Sequence, residues 1–153
     1  MRAEVRRAGA GDAAALLPLI REHAAFERGV ATIKGDALAS ILGETPVRVA
    51  LWLAELDGAP VGYAAATVDF ATWRGRAYLH LDCLFVRAGH RGAGSGARLL
   101  RAVRRHAASL SLDEVQWQTP AWNDDARRFY LREGAAVSTK LRFRAGALRG
   151  PER

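Results

Sequence analysis

The sequence has little of what would place it in a membrane, an oxidising compartment or a metalloprotein. No apolar run approaches the roughly 20 residues that cross a bilayer, and the segment Met1–Arg7 lacks the apolar stretch of a signal peptide. Cys83 is the only cysteine, so no internal disulfide can form, and no cysteine–histidine cluster has metal-ligand spacing. We therefore predict a cytoplasmic protein, with no metal and no membrane partner, that folds as one domain over residues 1–153.

Lysine is almost absent as well. Lys34 and Lys140 are the only two, so the net charge of +7 is carried by arginine. A basic surface attracts polyanions, among them nucleic acid and cofactors that bear several phosphates. The arginines are scattered, and the aromatic residues do not interleave with them as a base-stacking surface requires. We expect a solvated surface with one anion pocket, and no nucleic-acid partner.

The spacing of apolar residues predicts a mixed α/β sheet. Asp12 is expected to cap a helix that ends at Gly29, and Pro18 should kink that helix or move its start. Asp57-Gly58 is a tight-turn signal between two strands. The predicted order is strand, two helices, three strands, helix, strand, helix, strand, which is not a doubly wound sheet. After the first helix the elements are expected at Lys34–Leu42, Val47–Glu55, Val61–Val68, Tyr78–Val86, Gly94–Ala108, Val115–Thr119, Asn123–Arg132 and Val137–Phe143, and the first strand at Val5–Arg7.

A glycine-rich turn separates the Tyr78–Val86 strand from the next predicted helix. Alternate glycines let successive N–H groups point into one concavity, and the helix adds the positive end of its dipole, so the turn is suited to an anion. No Lys-Ser/Thr pair follows, which excludes a Walker loop, and no strand with an acidic end follows as a dinucleotide fold requires. A glycine-rich turn with no ligand is the alternative for this pattern taken alone. The turn reads Arg91-Gly92-Ala93-Gly94-Ser95-Gly96.

Two motifs together identify a family. The run Leu84-Phe85-Val86 followed by Arg91-x-x-Gly94-x-Gly96 resembles motif A of the GNAT superfamily, the Gcn5-related N-acetyltransferases. Downstream, Trp122-Asn123-x-x-Ala126-x-x-Phe129-Tyr130-x-x-x-Gly134-Ala135 resembles the second signature of that superfamily. The resemblance implies a GNAT fold: a central, mostly antiparallel sheet, splayed between the fourth and fifth strands and flanked by four helices.

Within the superfamily the chain is most similar to the diamine acetyltransferases, the spermidine/spermine and thialysine group. The first helix, the Trp73-x-Gly75 turn with the strand after it, and the last helix all follow that group's pattern. The group usually has two consecutive carboxylates where this chain has Asp82-Cys83, and the stretch after Ala135 is shorter here. The resemblance also implies a homodimer.

The resemblance assigns acetyl-CoA as co-substrate and indicates which residues bind it. The main chain of Leu84, Phe85 and Val86 would pair with the pantetheine arm. Asn123 resembles a further cofactor contact, although a helix N-cap is an equal alternative. The diphosphate would lie on the segment made of Arg91, Gly92, Ala93, Gly94, Ser95, Gly96 and Ala97.

Acetyl transfer needs a proton acceptor for the amine and a proton donor for the departing thiolate. By resemblance Tyr130 is the general acid, with a core aromatic as its alternative, and Asp82 is either the base or a contact for the substrate cation. On a regular strand His80 and Asp82 lie on the same face, so a water molecule could link His80 to Asp82. The alternative is that His80 is an ordinary strand residue. Glu27 matches a substrate-contacting carboxylate of the group, with a solvated helix end as its alternative. Trp73 is a candidate wall of the amine channel and so a candidate substrate contact, with a cover over the core at a turn as its alternative. His23, His90 and His106 are interpreted as structural or surface residues, and Cys83 as a small buried side chain.

The sequence thus predicts an acetyl-CoA-dependent N-acetyltransferase that acts on a small primary amine: a diamine, a polyamine or an amine-bearing amino acid. The excess positive charge of the chain favours a small amine over a polyamine. The alternatives are a protein or peptide N-acetyltransferase, a non-catalytic acyl-CoA-binding module and a basic nucleic-acid-binding domain.

Overall fold

The computed structural model describes residues 1–151, which divide into two compact units. The first, Met1–Pro120, holds one five-stranded sheet and three helices, and the second begins at Ala121 and holds one helix. The strands are β1 (Glu4–Arg7), β2 (Ala50–Leu56), β3 (Ala59–Ala71), β4 (Arg76–Val86) and β5 (Val115–Trp117); the helices are α1 (Ala13–Phe26), α2 (Gly35–Leu42), α3 (Ser95–Ser109) and α4 (Asp124–Arg132).

The strands lie in the order β1-β2-β3-β4-β5. The pairs β1–β2, β2–β3 and β3–β4 are antiparallel, and the pair β4–β5 is parallel. The β2–β3 turn has positive φ at both Asp57 (51°) and Gly58 (77°), the geometry that matches a two-residue turn to the twist of its strands. The predicted mixed sheet is confirmed, and with it the split between the fourth and fifth strands.

Helices cover both faces of the sheet. On one face α1 and α2 pack against β2, β3 and β4, and burying a leucine there stabilises the fold by roughly 1.5–3 kcal/mol. On the other face α3 packs through Leu99, Leu100 and Val103, and His106 contacts Trp52 edge-on. The core under α1 and α2 consists of Leu16, Leu19, Leu38, Leu51, Leu53, Tyr63, Ala65 and Phe85.

Gly62 is a close contact between β3 and β4, because a Cβ at this position would lie 2.6 Å from the carbonyl oxygen of Phe85. We expect Gly62→Ala to lower the free energy of unfolding by about 2 kcal/mol, since two backbones would have to separate. Urea unfolding followed by circular dichroism measures the change. Gly11→Ala is the control, because a Cβ there meets no atom within 4 Å; equal stability of the two variants would contradict the prediction.

The structure differs from the sequence predictions at three places. The Asp12 side chain does not cap α1; it accepts hydrogen bonds from Arg6 (2.8 and 2.9 Å) and from the Gly9 amide (2.8 Å). Pro18 does not move the helix start, since α1 begins at Ala13 and continues past it, and the other alternative, a kink at Pro18, stays a prediction.

The third difference concerns the end of the chain. The prediction of a last strand at Val137–Phe143 is wrong, because these residues form no strand in the structure. Val137, Leu141 and Phe143 are all exposed. Among residues 1–151, no helix is both long enough and apolar enough to cross a bilayer.

Candidate active site

Strand β4 contains a bulge at Asp82. Ala65 pairs with Cys83 and Ala66 with Leu81, so Asp82 is an extra residue that opposes no residue of β3. The pairing of β4 with β5 reaches only to Leu81, whereas its pairing with β3 continues to the end of the strand. Because a bulge bends its strand, β4 and β5 separate there and one edge of β4 faces a gap.

Alternate residues of β4 turn their main-chain groups toward this gap. The Arg87 amide donates to the Val61 carbonyl (2.8 Å), so Arg87 faces β3. By the alternation of an antiparallel strand Phe85 faces β3 as well, and Leu84 and Val86 face the gap. The main-chain groups of Leu84 and Val86 are therefore open to the gap, and the pairing of these two residues with pantetheine stays a prediction. The main-chain groups of Phe85 belong to the β3 side, and its role in cofactor binding stays a prediction.

The connection from β4 to α3 contains two glycines in the left-handed region, Gly92 (φ 81°) and Gly94 (φ 84°). A Cβ on either would meet no atom within 4 Å, so glycine is required there by the backbone angle and not by space. The first hydrogen bond of α3 runs from the Arg98 amide to the Gly94 carbonyl (3.1 Å). The amides before Arg98 therefore lie at the positive end of the helix dipole, with no acidic residue in the first turn, an arrangement that suits an anion.

Arg91 folds back against the sheet. Its Nε donates to the Val86 carbonyl (2.8 Å), and its guanidinium carbon lies 4.6 Å from the ring centroid of Phe26 and 5.5 Å from that of Phe85. The side chain thereby holds the glycine-rich turn against the end of β4 and covers one of the two carbonyls that face the gap. A contact between Arg91 and a cofactor phosphate stays a prediction.

A polar cluster lies where α1 crosses β3 and β4. His23 contacts Tyr63 through Nδ1 (2.7 Å to the hydroxyl oxygen) and Glu27 through Nε2. The imidazole stacks on Phe85, with ring centroids 5.2 Å apart and planes at 19°. The pKa of Tyr63 is raised, mainly by burial and further by the neighbouring Cys83 and by the carboxylates of Asp82 and Glu27, so this phenol is a neutral hydrogen-bond donor.

The bulge places Asp82 and Cys83 on this same side of the sheet. The carboxylate of Asp82 lies 3.5 Å from the Cys83 sulfur and 3.9 Å from Nε2 of His80. About two thirds of the Asp82 side chain is exposed (64%), so a substrate could reach it. The structure thus places His80 beside Asp82, and Glu27 and Asp82 both act on Cys83; the roles of these three predicted substrate contacts stay predictions.

Burial raises the pKa of the Cys83 thiol to about 12, and the neighbouring charge of Asp82 adds to the shift. Because only the thiolate reacts, we expect alkylation of Cys83 by iodoacetamide at pH 8 to be roughly 10³-fold slower than that of an ordinary thiol. The rate should keep rising with pH up to about 12. Mass spectrometry of timed samples measures it, with unfolded protein as the control. Rapid labelling of the folded chain at pH 8 would contradict the prediction and make a covalent acetyl-cysteine chemically possible.

The fourth predicted substrate contact, Trp73, lies at the tip of the β3–β4 hairpin and is fully exposed. It therefore covers no part of the core, which removes one of its two interpretations. Nearer the sheet, the Tyr78 hydroxyl donates to Asp69 (3.0 Å), and the pKa of Asp69 is lowered first by the Phe70 amide and then by this bond.

The second unit holds the remaining predicted residues. Asn123 is the N-cap of α4 and accepts from the Ala126 amide (3.1 Å). Asp124 and Asp125 in the first turn complement the helix dipole. Tyr130 lies on α4 beside Phe129, with ring centroids 5.1 Å apart. The cap uses the side-chain oxygen of Asn123, and the predicted roles of Asn123 and Tyr130 toward cofactor and thiolate remain predictions.

His23 belongs to the cluster, although the sequence analysis assigned it no functional role. Its one local signal is the spacing of four residues to Glu27 on a helix. That signal is common on solvated helices, and the contact with Tyr63 spans 40 residues of sequence.

Comparison with known proteins agrees with this geometry. The family model for the acetyltransferase (GNAT) family matches residues 19–135. The thialysine N-epsilon-acetyltransferase of Bos taurus is 31% identical over 162 aligned positions that cover 95% of this chain and 94% of that protein. The spermidine/spermine N(1)-acetyltransferase-like protein 1 of Homo sapiens is 27% identical and covers 86% of this chain and 20% of its own length.

Solved structures share the fold. An aminoglycoside acetyltransferase from an uncultured soil metagenomic sample, solved with sisomicin, has a TM-score of 0.78 at 18% identity and covers 96% of this chain and 97% of its own. The aminoglycoside N-acetyltransferase AAC(6')-Iy, solved in complex with CoA, has the same TM-score and identity and covers 95% of each chain.

Proposed function

Since the chain belongs to the GNAT family of N-acetyltransferases and is similar to members of its diamine group, we propose that it transfers the acetyl group of acetyl-CoA to a primary amine of a small molecule. The observation that carries this proposal is the gap beside β4, with the main chain of Leu84 and Val86 on one side and the glycine-rich turn at its end. Fold relatives solved with CoA support the choice of co-substrate.

We propose that the cofactor lies along this edge of β4. The C=O group of Leu84 and the N–H of Val86 pair with the amides of the pantetheine arm as a further strand would, which leaves the N–H of Leu84 for the thioester carbonyl. The amides from Gly92 to Ala97 hold the diphosphate at the start of α3. Glycine at positions 92 and 94 supports this, because the left-handed backbone turns successive amides toward one point.

The reaction is direct attack of the amine nitrogen on the thioester carbonyl, in which a C–N bond forms and the C–S bond breaks. An alkylamine has a pKa of about 10.4, so it must lose a proton before it attacks. Asp82 is the proposed acceptor, an N–H of the open β4 edge stabilises the carbonyl oxygen, and Tyr130 returns a proton to the thiolate. The protonated thiol of Cys83 is consistent with a mechanism that has no acetyl-cysteine.

The proposed acceptor carries a second positive group besides the amine that reacts. Glu27 and Asp82 are the carboxylates of the polar cluster, and both act on Tyr63 and Cys83. Two negative groups on a chain of net charge +7 form a local site for a dication such as a diamine or a basic amino acid. Cys83 replaces a second consecutive carboxylate of the related enzymes, which favours a shorter, less charged acceptor than spermine.

A thiol-release assay with acetyl-CoA and a panel of putrescine, spermidine, thialysine, lysine and an aminoglycoside tests the proposal. We expect turnover with at least one amine that carries two positive groups, and the highest kcat/KM among the smaller ones. Binding of coenzyme A without turnover on any of them would overturn the proposal in favour of an acyl-CoA-binding module. Turnover only on peptides would make the acceptor a protein.

The homodimer and the cytoplasmic location are kept as predictions. Sedimentation equilibrium tests the first, and fractionation of the source cells tests the second.

A further inference from the structure

The contacts of His23 assign a role to a side chain outside the predicted machinery. We propose that His23 is a positioning residue which, oriented by Tyr63, holds the Glu27 carboxylate where the ammonium group of the acceptor binds. The inference rests on the proposed function for the identity of the ligand, and it concerns how this chain orders its own carboxylate.

The hydrogen bonds of His23 define its tautomer. A carboxylate only accepts, so Nε2, which faces Glu27, carries the proton. Nδ1 is then the acceptor, and the protonated hydroxyl of Tyr63 donates to it at 2.7 Å. Both ring nitrogens are thus engaged with protein groups, and the role proposed for His23 is to orient Glu27.

Two aromatic rings pack against the imidazole. Phe85 stacks on its face, and Tyr63, itself 2% exposed, contacts it edge-on with centroids 5.7 Å apart. Only 13% of the His23 side chain is exposed. Rigid packing of a donor reduces the entropy lost when the group it orients binds a ligand.

The carboxylate of Glu27 lies at a position that is electrostatically unfavourable without a hydrogen-bonding partner. It is the C-cap residue of α1, where the helix dipole repels a carboxylate, and it carries no basic partner except the imidazole among its described contacts. Its side chain is 38% exposed. The contact with His23 uses Oε2, so Oε1 remains to face a cation from the solvent side. A carboxylate fixed against the dipole and left half open is suited to an ammonium ligand.

The kinetics of single and double variants test the proposal, with the best amine from the panel. We expect His23→Leu to raise KM for the amine roughly tenfold, the factor that corresponds to about 1.4 kcal/mol. The kcat value and KM for acetyl-CoA should stay within about twofold. Glu27→Gln should have the same signature. Because His23 acts through Glu27, the double variant should be no worse than Glu27→Gln alone.

Two further variants separate positioning from folding. His23→Gln keeps one donor and one acceptor and should recover most of the loss. Tyr63→Phe removes the hydroxyl that orients His23 and that also interacts with Cys83, and it should raise KM in the same direction by about two- to threefold, within the range of one neutral hydrogen bond. His106→Leu is the control: this histidine packs on Trp52 on the opposite face, so the variant should lose stability and keep KM.

Additive effects in the double variant, or an unchanged KM in a folded His23→Leu, would overturn the proposal. A fall in kcat with KM unchanged would do so as well. Titration calorimetry of the diamine gives the same comparison through Kd without turnover. If the wild-type chain binds the diamine and acetylates nothing, the proposed function fails while the role of His23 is still decided by Kd.

Discussion

Tyr130→Phe is expected to lower kcat roughly 100-fold, because general acid catalysis contributes about 10²- to 10⁴-fold and phenylalanine cannot protonate a departing thiolate. KM for the amine should change little, since the lost interaction forms only as the C–S bond breaks. Single-turnover mixing of enzyme–acetyl-CoA with saturating amine measures the chemical step separately from product release.

Tyr78→Phe provides the matched control, because it removes a phenolic hydroxyl that bonds to Asp69 on the β3–β4 hairpin. A second comparison uses an acyl donor whose thiol is more acidic. The deficit of Tyr130→Phe should shrink with that donor, because its thiolate leaves without help. Full single-turnover rates in Tyr130→Phe would remove Tyr130 from the mechanism and leave it as a neighbour of Phe129 on α4.

Asp82→Asn is expected to lower kcat by about 10²-fold, since asparagine matches aspartate in shape and accepts no proton. The loss should narrow as the pH rises toward the amine pKa of about 10.4, where the free amine no longer needs a base. Steady-state rates from pH 7 to pH 10 measure both effects.

The same experiment separates the two roles that the sequence left open. If Asp82 only binds the substrate cation, KM rises and kcat is kept. Asp36→Asn is the control, because it removes an equal charge from α2, where Asp36 bonds to the Ala37 amide. A variant at position 82 with both constants unchanged would exclude Asp82 from the site.

The elements with strong local signals could be predicted from the sequence. Apolar spacing gave α1, α2 and α3 within one or two residues at most ends, and Asp57-Gly58 gave the β2–β3 turn. The run Val137–Phe143 shows why such signals are not sufficient. Its alternating pattern fits a pleated surface, but a strand also needs a neighbouring strand for its main-chain hydrogen bonds, and pattern alone does not supply one.

The bulge at Asp82 is the feature of the site that sequence reasoning could not supply. In a regular strand Cys83 and Phe85 would share a face with Leu81, which is buried beneath α3. One extra residue shifts the alternation, so that Cys83 and Phe85 pack in the core under α1 instead. The position of a bulge depends on the register between a strand and its partner. This register cannot be predicted from the residues of one strand alone.

The open edge of β4 allows binding of a ligand along this strand to be detected by amide hydrogen exchange. Phe85 and Leu84 are neighbours in sequence, yet one amide is turned toward the β3 ladder and the other toward the open side. In deuterium oxide the first amide should exchange at a rate governed by unfolding of the sheet, and the second at a rate set by solvent access. Any molecule that lies along the strand would protect Leu84 and leave Phe85 unchanged, so two adjacent NMR signals serve as probe and internal reference.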